Sequence, residues 1–281
     1  MGKGCRRVDI VIDEREWSDM VQSETVSLIL TSYNCKDSIF RTLCSIEMQD
    51  YPFIEVIIVD GLSTDGTIDV IKECEKNTKY TYKWVSEKDS GIYDAMNKGL
   101  RMAKGSVIAF FNDLFLISNA VSLMMQSLQC EGTDGVHADL IYATDKRVVR
   151  YWKMGQGKIS AGWMPGHPTL YLRRQVYEKY GNYNSGYKCS ADYEFMIRIL
   201  KDNTVKLSYV PITIIKMYYG GTSTKNVGSY MVSLKEAHMA LKSNNVKFAW
   251  LIDIRRTIRV FAQFLEARKY KGKISENVIV K

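Results

Sequence analysis

Apolar runs alternate with helical patterns through the first 111 residues of the chain. Four runs stand out: VSLIL at 26–30, EVIIV at 55–59, YKWVS at 82–86 and SVIAFF at 106–111. Runs with little polar alternation are typical of strands covered on both faces, as in a parallel sheet. Apolar residues recur at helical spacing between the runs, which predicts strand–helix–strand units with right-handed crossovers. The first half therefore predicts an α/β fold with a mostly parallel central sheet flanked by helices.

Three of these strands end in polar residues. TSYN occupies 31–34, Asp60 follows the second strand, and Asn112 and Asp113 follow the fourth. Open α/β sheets bind ligands beyond the carboxyl ends of their strands, so these residues are placed to meet one. The turn GLSTDG after Asp60 equally fits a capped connection to a helix that begins at Thr67, with one of residues 63–65 as the cap. Both interpretations of Asp60 stay open.

The segment EKDSGIYDAMNKGLRMAKG at 87–105 predicts another helix. Its apolar residues repeat at helical spacing from Ile92, while Asp94 and Lys98 lie one turn apart on a different face. We expect Gly105 to end this helix in the left-handed conformation that glycine adopts easily.

The second half interleaves polar and aromatic residues. A loop containing Trp163 and His167 precedes a short strand at 169–172 and the helix RRQVYEKYG, and strand patterns at 205–219 lead to Gly220 and Gly221. A further helix, SADYEFMIRIL, carries Asp192 and a second carboxylate in its first turn, where the helix dipole favours acidic side chains. Asp192 can therefore be a helix-terminal charge or a functional group.

The pattern favours one continuous domain at 25–225, an N-terminal extension at 1–24 and a C-terminal helical region at 226–281. In the last region an apolar stripe steps by three or four residues along a basic helix. Such a helix packs on its own domain, on a partner subunit, or on an anionic membrane surface. The stripe consists of Leu251, Ile254, Ile258, Phe261 and Leu265.

Composition narrows the class of protein. The chain has 281 residues, 46% apolar and 25% charged, which is ordinary for a globular protein. No run of 18 apolar residues or export signal is evident, and the six cysteines form no Cys-x-x-Cys pair, so we expect reduced thiols and a cytoplasmic protein. Most of the net charge of +8 lies in the tail, which suits phosphate-bearing partners.

Two nucleotide-binding classes are excluded by their motifs. No G-x-G-x-x-G follows the first strand, and no G-x-x-x-x-G-K-S/T is present. A strand-end aspartate without a glycine phosphate cradle suits recognition of a base or ribose. The pyrophosphate charge would then be neutralised by a metal or by basic side chains.

At this point the chain resembles the family 2 glycosyltransferases with the GT-A fold, in particular bacterial enzymes of the colanic-acid and O-antigen type. The resemblance covers roughly residues 25–225. Seven stretches carry it in order: VSLILTSYN, EVIIVDGLSTDGT, SEKDSGIYDAMNKGL, FFND, GHPTLYLRRQVYEKYG, SADYEFMIR and YYGGTST. It implies an inverting hexosyl or N-acetylhexosaminyl transferase that uses a nucleotide sugar, with a UDP-sugar as the expected donor. The implied acceptor is a saccharide or lipid-linked saccharide, and nucleic acid is not expected as a partner.

The resemblance also implies roles for individual residues. Asp192 corresponds to the general base that takes the acceptor proton, and Asp60 to the residue that bonds the base of the nucleotide. His167 has an alternative role in packing, as does Trp163, which can stack on an acceptor sugar or fill the core. The remaining nucleotide and donor contacts are Thr31, Tyr33, Asp89, Asp94 and Asn97, and the candidate substrate contacts are Trp163, His167, Gly220, Gly221 and Thr222.

One departure concerns the metal. The family reads Asn-x-Asp-Asp or Asn-x-Gly-Asp after the fourth strand, whereas this chain reads Asn112-Asp113-Leu114-Phe115 and supplies one carboxylate, Asp113, to Mg²⁺ or Mn²⁺. One carboxylate plus diphosphate oxygens would hold such a cation weakly. A nucleotide-sugar-binding protein with a decayed metal site and little transfer activity is therefore the alternative. The enzyme is expected in the cytoplasm, on the inner face of the cytoplasmic membrane if the tail docks there.

Overall fold

The computed structural model describes residues 24–219 and 227–270. Nine strands form one sheet with helices on both faces. The strands are β1 (Val26–Ser32), β2 (Ile54–Asp60), β3 (Thr81–Ser86), β4 (Val107–Phe110), β5 (Leu114–Phe115), β6 (Gly135–Ala143), β7 (Val148–Trp152), β8 (Tyr171–Arg173) and β9 (Leu207–Tyr218). The helices are α1 (Lys36–Glu47), α2 (Thr67–Lys76), α3 (Ile92–Met102), α4 (Ala120–Glu131), α5 (Arg174–Tyr180), α6 (Ala191–Leu200), α7 (Val227–Ser243) and α8 (Ala249–Ala267).

The predicted parallel sheet forms one half of the molecule. The strand order is β3-β2-β1-β4-β8-β6-β9-β5, with β7 beside β6, and the first four strands in this order are all parallel. The α/β prediction is therefore confirmed. The sheet as a whole is mixed, because β8 runs antiparallel to β4 and β6, and β5 and β7 are also antiparallel additions.

Strand β1 shows why successive residues 28–30 are all apolar, while the buried Ser27 is satisfied by a hydrogen bond to Glu55. Leu28 and Leu30 point into a core formed with α1, α2 and α4. Ile29 points to the opposite face, into a core that includes α3 and α5 through α8. Since both faces of the parallel half are covered, alternation of polar and apolar residues would bury polar groups, and the sequence avoids it.

Gly105 does not adopt the left-handed conformation that the sequence predicted, so this prediction is wrong. Helix α3 ends at Met102, the C-cap residue Ala103 is extended, and Gly105 is not among the residues with positive φ. A Cβ at Gly105 would lie 2.4 Å from the carbonyl oxygen of Thr25 and 2.6 Å from Oγ of Ser27. Gly105 is thus required by the close approach of β1, not by a left-handed turn.

Strand β6 is the main element that the sequence pattern did not reveal. It is buried along most of its length, yet it carries His137 and Asp139, which are 0% and 1% exposed. The Asp139 carboxylate accepts hydrogen bonds from the Met154 N–H at 2.7 Å and the Tyr209 hydroxyl at 2.8 Å. Neither ring nitrogen of His137 has a hydrogen-bond partner, and burial lowers the pKa of His137 to about 4.

His137 should make the protein sensitive to acid. Its pKa in the unfolded chain is near 6.5, so the unfolded state binds more protons between pH 6.5 and 4, and stability falls as the pH falls through that window. The full loss is about 3 kcal/mol. Urea unfolding of His137→Phe at pH 7 and at low pH should show a smaller loss than in wild type. Because Asp139 is present in both proteins, equal losses would contradict a titrating His137, and His238→Gln serves as a control.

The C-terminal helices pack onto the domain. Ala240 and Leu241 of α7 and Ala249 and Ile252 of α8 belong to the core that also contains α6. No helix within 24–219 or 227–270 is long and apolar enough to cross a membrane. The five cysteines in these ranges are all free thiols, as expected.

Candidate functional site

The site begins at the carboxyl ends of β1, β2 and β3, where Ser32, Asp60 and Ser86 are neighbours in register. The fully buried Asp60 carboxylate accepts hydrogen bonds from Oγ of Ser32 (2.9 Å), Oγ of Ser86 (2.8 Å), and both the backbone N–H (2.9 Å) and Oγ (2.5 Å) of Ser63. Burial alone would raise the pKa of Asp60, but these bonds outweigh it and the pKa lies below its usual value. Asp60 is therefore ionised and links the carboxyl ends of β1, β2 and β3.

This geometry bears directly on the two interpretations of Asp60. A carboxylate offers about four acceptor positions, and protein donors occupy four. A base bonded to Asp60 must therefore share or displace one of these donors. The contacts favour the capped-turn interpretation, and a role in base recognition remains a proposal.

Asp60→Ala tests which interpretation dominates. It removes the charged acceptor of three serine hydroxyls and one backbone N–H, so we expect the free energy of unfolding to fall by about 3 kcal/mol or more. Ser86→Ala removes a single bond and should cost about 1 kcal/mol. Urea unfolding measures both, and UDP titration of the folded protein measures binding. Unchanged stability together with weakened UDP binding would instead make Asp60 a base contact.

The loops after β1 and β2 are tied to each other. The backbone N–H of Asn34 donates to Oγ of Ser63, and the N–H of Thr64 donates to Oδ1 of Asn34, each at 2.8 Å. Asp65 accepts hydrogen bonds from the N–H groups of Lys36 and Thr67 at 3.0 Å, so one carboxylate contacts the first residues of both α1 and α2. The predicted N-cap within 63–65 is wrong, because the N-cap of α2 is Gly66, which has no side chain; Asp65 instead accepts the N–H of the first helical residue and ties the two loops together.

The Tyr33 ring and the Asp89 carboxylate converge on Gly61 at this edge. A Cβ at Gly61 would be 3.1 Å from Oδ2 of Asp89 and 3.4 Å from Cδ2 of Tyr33, so the absence of a side chain lets both groups approach the backbone closely. Tyr33 is 66% exposed. An exposed ring beside an acceptor group suits stacking and hydrogen bonding of a planar base.

Two further predicted contacts have protein partners around α3. Asp94 accepts a hydrogen bond from the N–H of Ser90 at 3.0 Å and forms the expected i,i+4 ion pair with Lys98 at 3.7 Å. Asn97 makes two hydrogen bonds to the backbone of Tyr183, one donated and one accepted, at 2.9 and 3.0 Å. Asn97 therefore holds the segment that precedes α6.

Tyr183 is the centre of an aromatic cluster beneath the site. Its ring contacts those of Tyr93, Phe110 and His167, at centroid distances of 6.2, 5.1 and 5.7 Å. Its hydroxyl pairs with Nε2 of His167 at 2.8 Å. Burial lowers the pKa of His167, and the nearby negative charge of Asp192 offsets this only in part. His167 is thus a packing and hydrogen-bonding residue in this arrangement.

The same cluster fixes Asp192. The Tyr93 hydroxyl donates to Oδ1 of Asp192 at 3.1 Å, joining α3 to the first turn of α6. Burial and then the charge of Asp192 raise the pKa of Tyr93, so Tyr93 stays a neutral donor. Glu194, the other carboxylate of this turn, is engaged elsewhere, by Arg198 at 2.8 Å. No residue within 24–219 or 227–270 donates a hydrogen bond to Oδ2 of Asp192, so this oxygen can receive a proton.

Trp163 does not lie open to a substrate. It is 7% exposed, and its indole N–H donates to the carbonyl oxygens of Met154 (3.0 Å) and Gly155 (3.2 Å). Little of the ring is left for a sugar to stack on, so the geometry favours the core interpretation. Gly220, Gly221 and Thr222 lie outside the described residues.

Asp113 differs from the other carboxylates at the strand ends. Asn112 and Thr31 pair with each other at 3.0 and 2.9 Å, whereas Asp113 has neither a hydrogen bond nor an ion pair to any described residue. Burial raises the pKa of Asp113 to about 7. No group of three or more potential ligands occurs within the described ranges. A single unpaired carboxylate fits a divalent cation that takes its remaining ligands from a diphosphate and water.

Tyr142 and Arg150 are site residues that the sequence did not single out. They face each other on β6 and β7, with the Arg150 guanidinium 4.6 Å from the Tyr142 ring and 5.0 Å from the Trp152 ring. Burial raises the pKa of Tyr142, Arg150 lowers it, and the charges of Asp113 and Asp192 raise it further. Tyr142 is thus within electrostatic range of both carboxylates.

The family follows from comparison with known proteins. The family model Glycosyl transferase family 2 matches residues 27–194, more than half of the chain. The uncharacterized glycosyltransferase Rv1514c of Mycobacterium tuberculosis is 32% identical over 187 residues, which is 64% of this chain and 70% of that protein. WfaP of Escherichia coli, a UDP-Glc:alpha-D-GlcNAc-diphosphoundecaprenol beta-1,3-glucosyltransferase, is 36% identical over 38% of this chain and 43% of its own. The chain therefore belongs to glycosyl transferase family 2 and is a glycosyltransferase.

Solved structures support the fold. TarS 1–349 of S. aureus in complex with UDP-GlcNAc matches with a TM-score of 0.65 at 17% identity, over 90% of this chain and 77% of that one. The chain spans 46% of the longer TarS chain. The mannosyltransferase PcManGT from Pyrobaculum calidifontis, in complex with GDP-Man and Mn²⁺, matches with a TM-score of 0.62 at 18% identity, over 89% and 76% of the two chains. The fold is thus of the GT-A type, as the sequence resemblance implied.

Proposed function

We propose that this glycosyltransferase moves a hexosyl or N-acetylhexosaminyl group from a UDP-sugar to a saccharide or lipid-linked saccharide, with inversion, in cell-surface polysaccharide synthesis. The donor proposal is supported by the UDP-GlcNAc and UDP-Glc in the names of TarS and WfaP. The pathway proposal is supported by WfaP and by TuaG of Bacillus subtilis, a putative teichuronic acid biosynthesis glycosyltransferase that is 41% identical over 31% of this chain and 34% of its own. UDP-glucose is an α-glycoside, so the beta-linkage in the name of WfaP corresponds to inversion.

The observation that carries the proposal is the environment of Asp192. It stands at the start of a helix, is held at one oxygen by Tyr93, and keeps the other oxygen available. A general base must be fixed and within reach of the hydroxyl that it deprotonates. In this role Asp192 takes the acceptor proton while the acceptor oxygen attacks the anomeric carbon and the nucleoside diphosphate leaves.

The leaving group needs positive charge, and two features of the chain support its binding. Asp113 would hold Mg²⁺ or Mn²⁺, and a cation bound there stabilises the growing negative charge of the diphosphate. Arg150 adds a positive charge next to Tyr142, and the negative charge of Asp113 also acts on the pKa of Tyr142. Tyr33 and Asp89, which converge on Gly61, flank the position that we assign to the base.

We also propose a cytoplasmic enzyme on the inner face of the cytoplasmic membrane. A lipid-linked acceptor, as named for WfaP, would be presented there. The second candidate function, a nucleotide-sugar-binding protein with little transfer activity, is supported by the single carboxylate of the metal site.

A donor panel tests the function. Purified full-length protein is incubated with UDP-, GDP- and dTDP-sugars, with Mn²⁺ and either a saccharide or an undecaprenyl-diphosphate-linked acceptor, and nucleoside diphosphate release is measured. We expect acceptor-dependent release of UDP. Binding of UDP without release from any donor would favour the binding-protein alternative, and neither binding nor release would overturn both.

A further inference from the structure

Helix α8 shows an apolar stripe to solvent. Trp250 is 60% exposed, Ile254 49%, Ile258 62%, Phe261 68% and Leu265 60%. These residues recur every three or four positions, so they share one face of the helix. Four of the five residues of the stripe predicted from sequence are therefore exposed, and Leu251 is partly buried.

The exposure is a consequence of how α8 is attached. Its other faces hold it on the domain: Ile252 lies in the core, and the guanidinium groups of Arg255 and Arg259 donate to the carbonyl oxygens of Ser160 and Ala161 at 2.6 and 3.0 Å. Gly162 lies so close that a Cβ there would be 2.6 Å from the backbone nitrogen of Arg256. The stripe thus faces outward on a firmly anchored helix.

Helix α7 extends this apolar surface. Met231 is 59% exposed, Val232 40% and Met239 49%, and Leu234 lines a groove between the two helices together with Ile254, Ile258 and Phe261. We call the exposed apolar residues of both helices the outer face of α7–α8. A contiguous surface of this kind marks an interaction site.

The exposed charges of α7 and α8 have one sign. Within 227–270 every exposed charged side chain is basic, whereas the three carboxylates are partly buried: Asp253, which lines the groove, contacts His238, Glu266 pairs with Lys269, and Glu236 accepts a backbone N–H. The exposed basic residues are Lys235, Lys242, Lys247, Arg255, Arg259, Arg268 and Lys269. A second copy docked face to face would bring two basic surfaces together, which costs electrostatic energy. An anionic surface with an apolar interior complements both the charge and the stripe.

We propose that the outer face of α7–α8 docks on an anionic phospholipid bilayer, with the aromatic and aliphatic side chains of α8 inserted at the headgroup level. This surface would give the enzyme the membrane location of the proposed function. The docking itself rests on the proposed function only for its biological purpose.

The opposite side of α8 borders the candidate site. The Arg256 guanidinium lies 4.7 Å from the ring of Tyr193, the residue after Asp192, and Gln263 accepts a hydrogen bond from Nε of Arg150. Docking through the outer face would therefore place α8 between the bilayer and the Asp192 side of the site, which is about one helix diameter, or about 10 Å, above the surface. The saccharide of a lipid-linked acceptor would extend past α8 to reach it.

Vesicle co-sedimentation of the full-length protein tests the surface without substrate. The vesicles contain phosphatidylglycerol and phosphatidylcholine in equal parts, or phosphatidylcholine alone. We expect binding to the anionic vesicles that is reversed at about 1 M salt. The double variant Ile258→Gln/Phe261→Gln should bind at least about tenfold more weakly. The matched control is Phe40→Gln, which removes a 43% exposed phenylalanine from α1.

A charge variant should lose the preference for anionic vesicles; it carries Lys247→Glu, Arg268→Glu and Lys269→Glu. The control on α2, Lys72→Glu/Lys76→Glu, should keep more of this preference. Circular dichroism establishes that each variant is folded. No vesicle binding by wild type overturns the proposal, as does equal binding by wild type and the Ile258→Gln/Phe261→Gln variant. A concentration-dependent dimer that this variant abolishes would assign the face to a second copy instead. Because UDP release with a soluble acceptor is measured separately, failure here leaves the proposed reaction standing.

Discussion

Asp192→Asn is expected to reduce transfer by about a hundredfold to ten-thousandfold, the range typical of a lost general base. The amide keeps the size of the side chain and still accepts the hydrogen bond from Tyr93, but it cannot take the acceptor proton. UDP binding should stay within about twofold of wild type, since the carboxylate is assigned to the acceptor step. Initial rates of UDP release and calorimetric titration of UDP measure the two effects.

The matched control is Asp69→Asn, which removes an exposed carboxylate from the first turn of α2. If the first-turn position of Asp192 serves only the helix dipole, both variants should lose about 0.3–1 kcal/mol of stability and keep full turnover. Near-normal turnover of Asp192→Asn would remove this residue from the mechanism.

Asp113→Asn is expected to abolish the effect of Mn²⁺ on UDP binding and to reduce transfer strongly. Asp113 is the one described carboxylate at the strand ends without a protein partner, so no other described carboxylate there would replace it in holding a cation. Titration of wild type and variant with UDP, with and without Mn²⁺, measures the coupling.

Asp202→Asn is the control, because Asp202 is exposed and follows α6. Wild type that binds UDP equally with and without Mn²⁺ would contradict a metal role for Asp113 and favour the decayed-site alternative. A metal-dependent wild type with an equally metal-dependent Asp113→Asn would place the cation elsewhere.

The parallel half of the fold was predictable because its strands obey a simple physical rule. Leu28, Ile29 and Leu30 are all apolar since both sheet faces are covered, and the buried polar residues Ser27 and Glu55 satisfy each other across adjacent strands. Strand β6 departs from this rule because it buries His137 and Asp139. Their burial depends on residues far along the chain, such as Tyr209, whose hydroxyl donates to Asp139. Periodicity cannot show a long-range partner, so β6 and β7 were not predicted.

The site was predictable as a set of strand ends but not as a set of contacts. The position of Asp60 at the edge follows from its strand, whereas its four serine bonds depend on β1, β3 and the following turn. Asn97 shows the same limit, because its partner Tyr183 lies 86 residues away. Arg150 was overlooked because a cation on a short strand carries no signal until its facing ring, Tyr142, is known.

The anomeric configuration of the product tests the central claim most directly. The donor that releases UDP in the panel is incubated with its acceptor, and the new linkage is assigned by NMR from the coupling constant of the anomeric proton. A family 2 fold with Asp192 as general base predicts a β-linked product from an α-linked UDP-sugar. An α-linked product from the same donor would contradict single in-line displacement and the role assigned to Asp192.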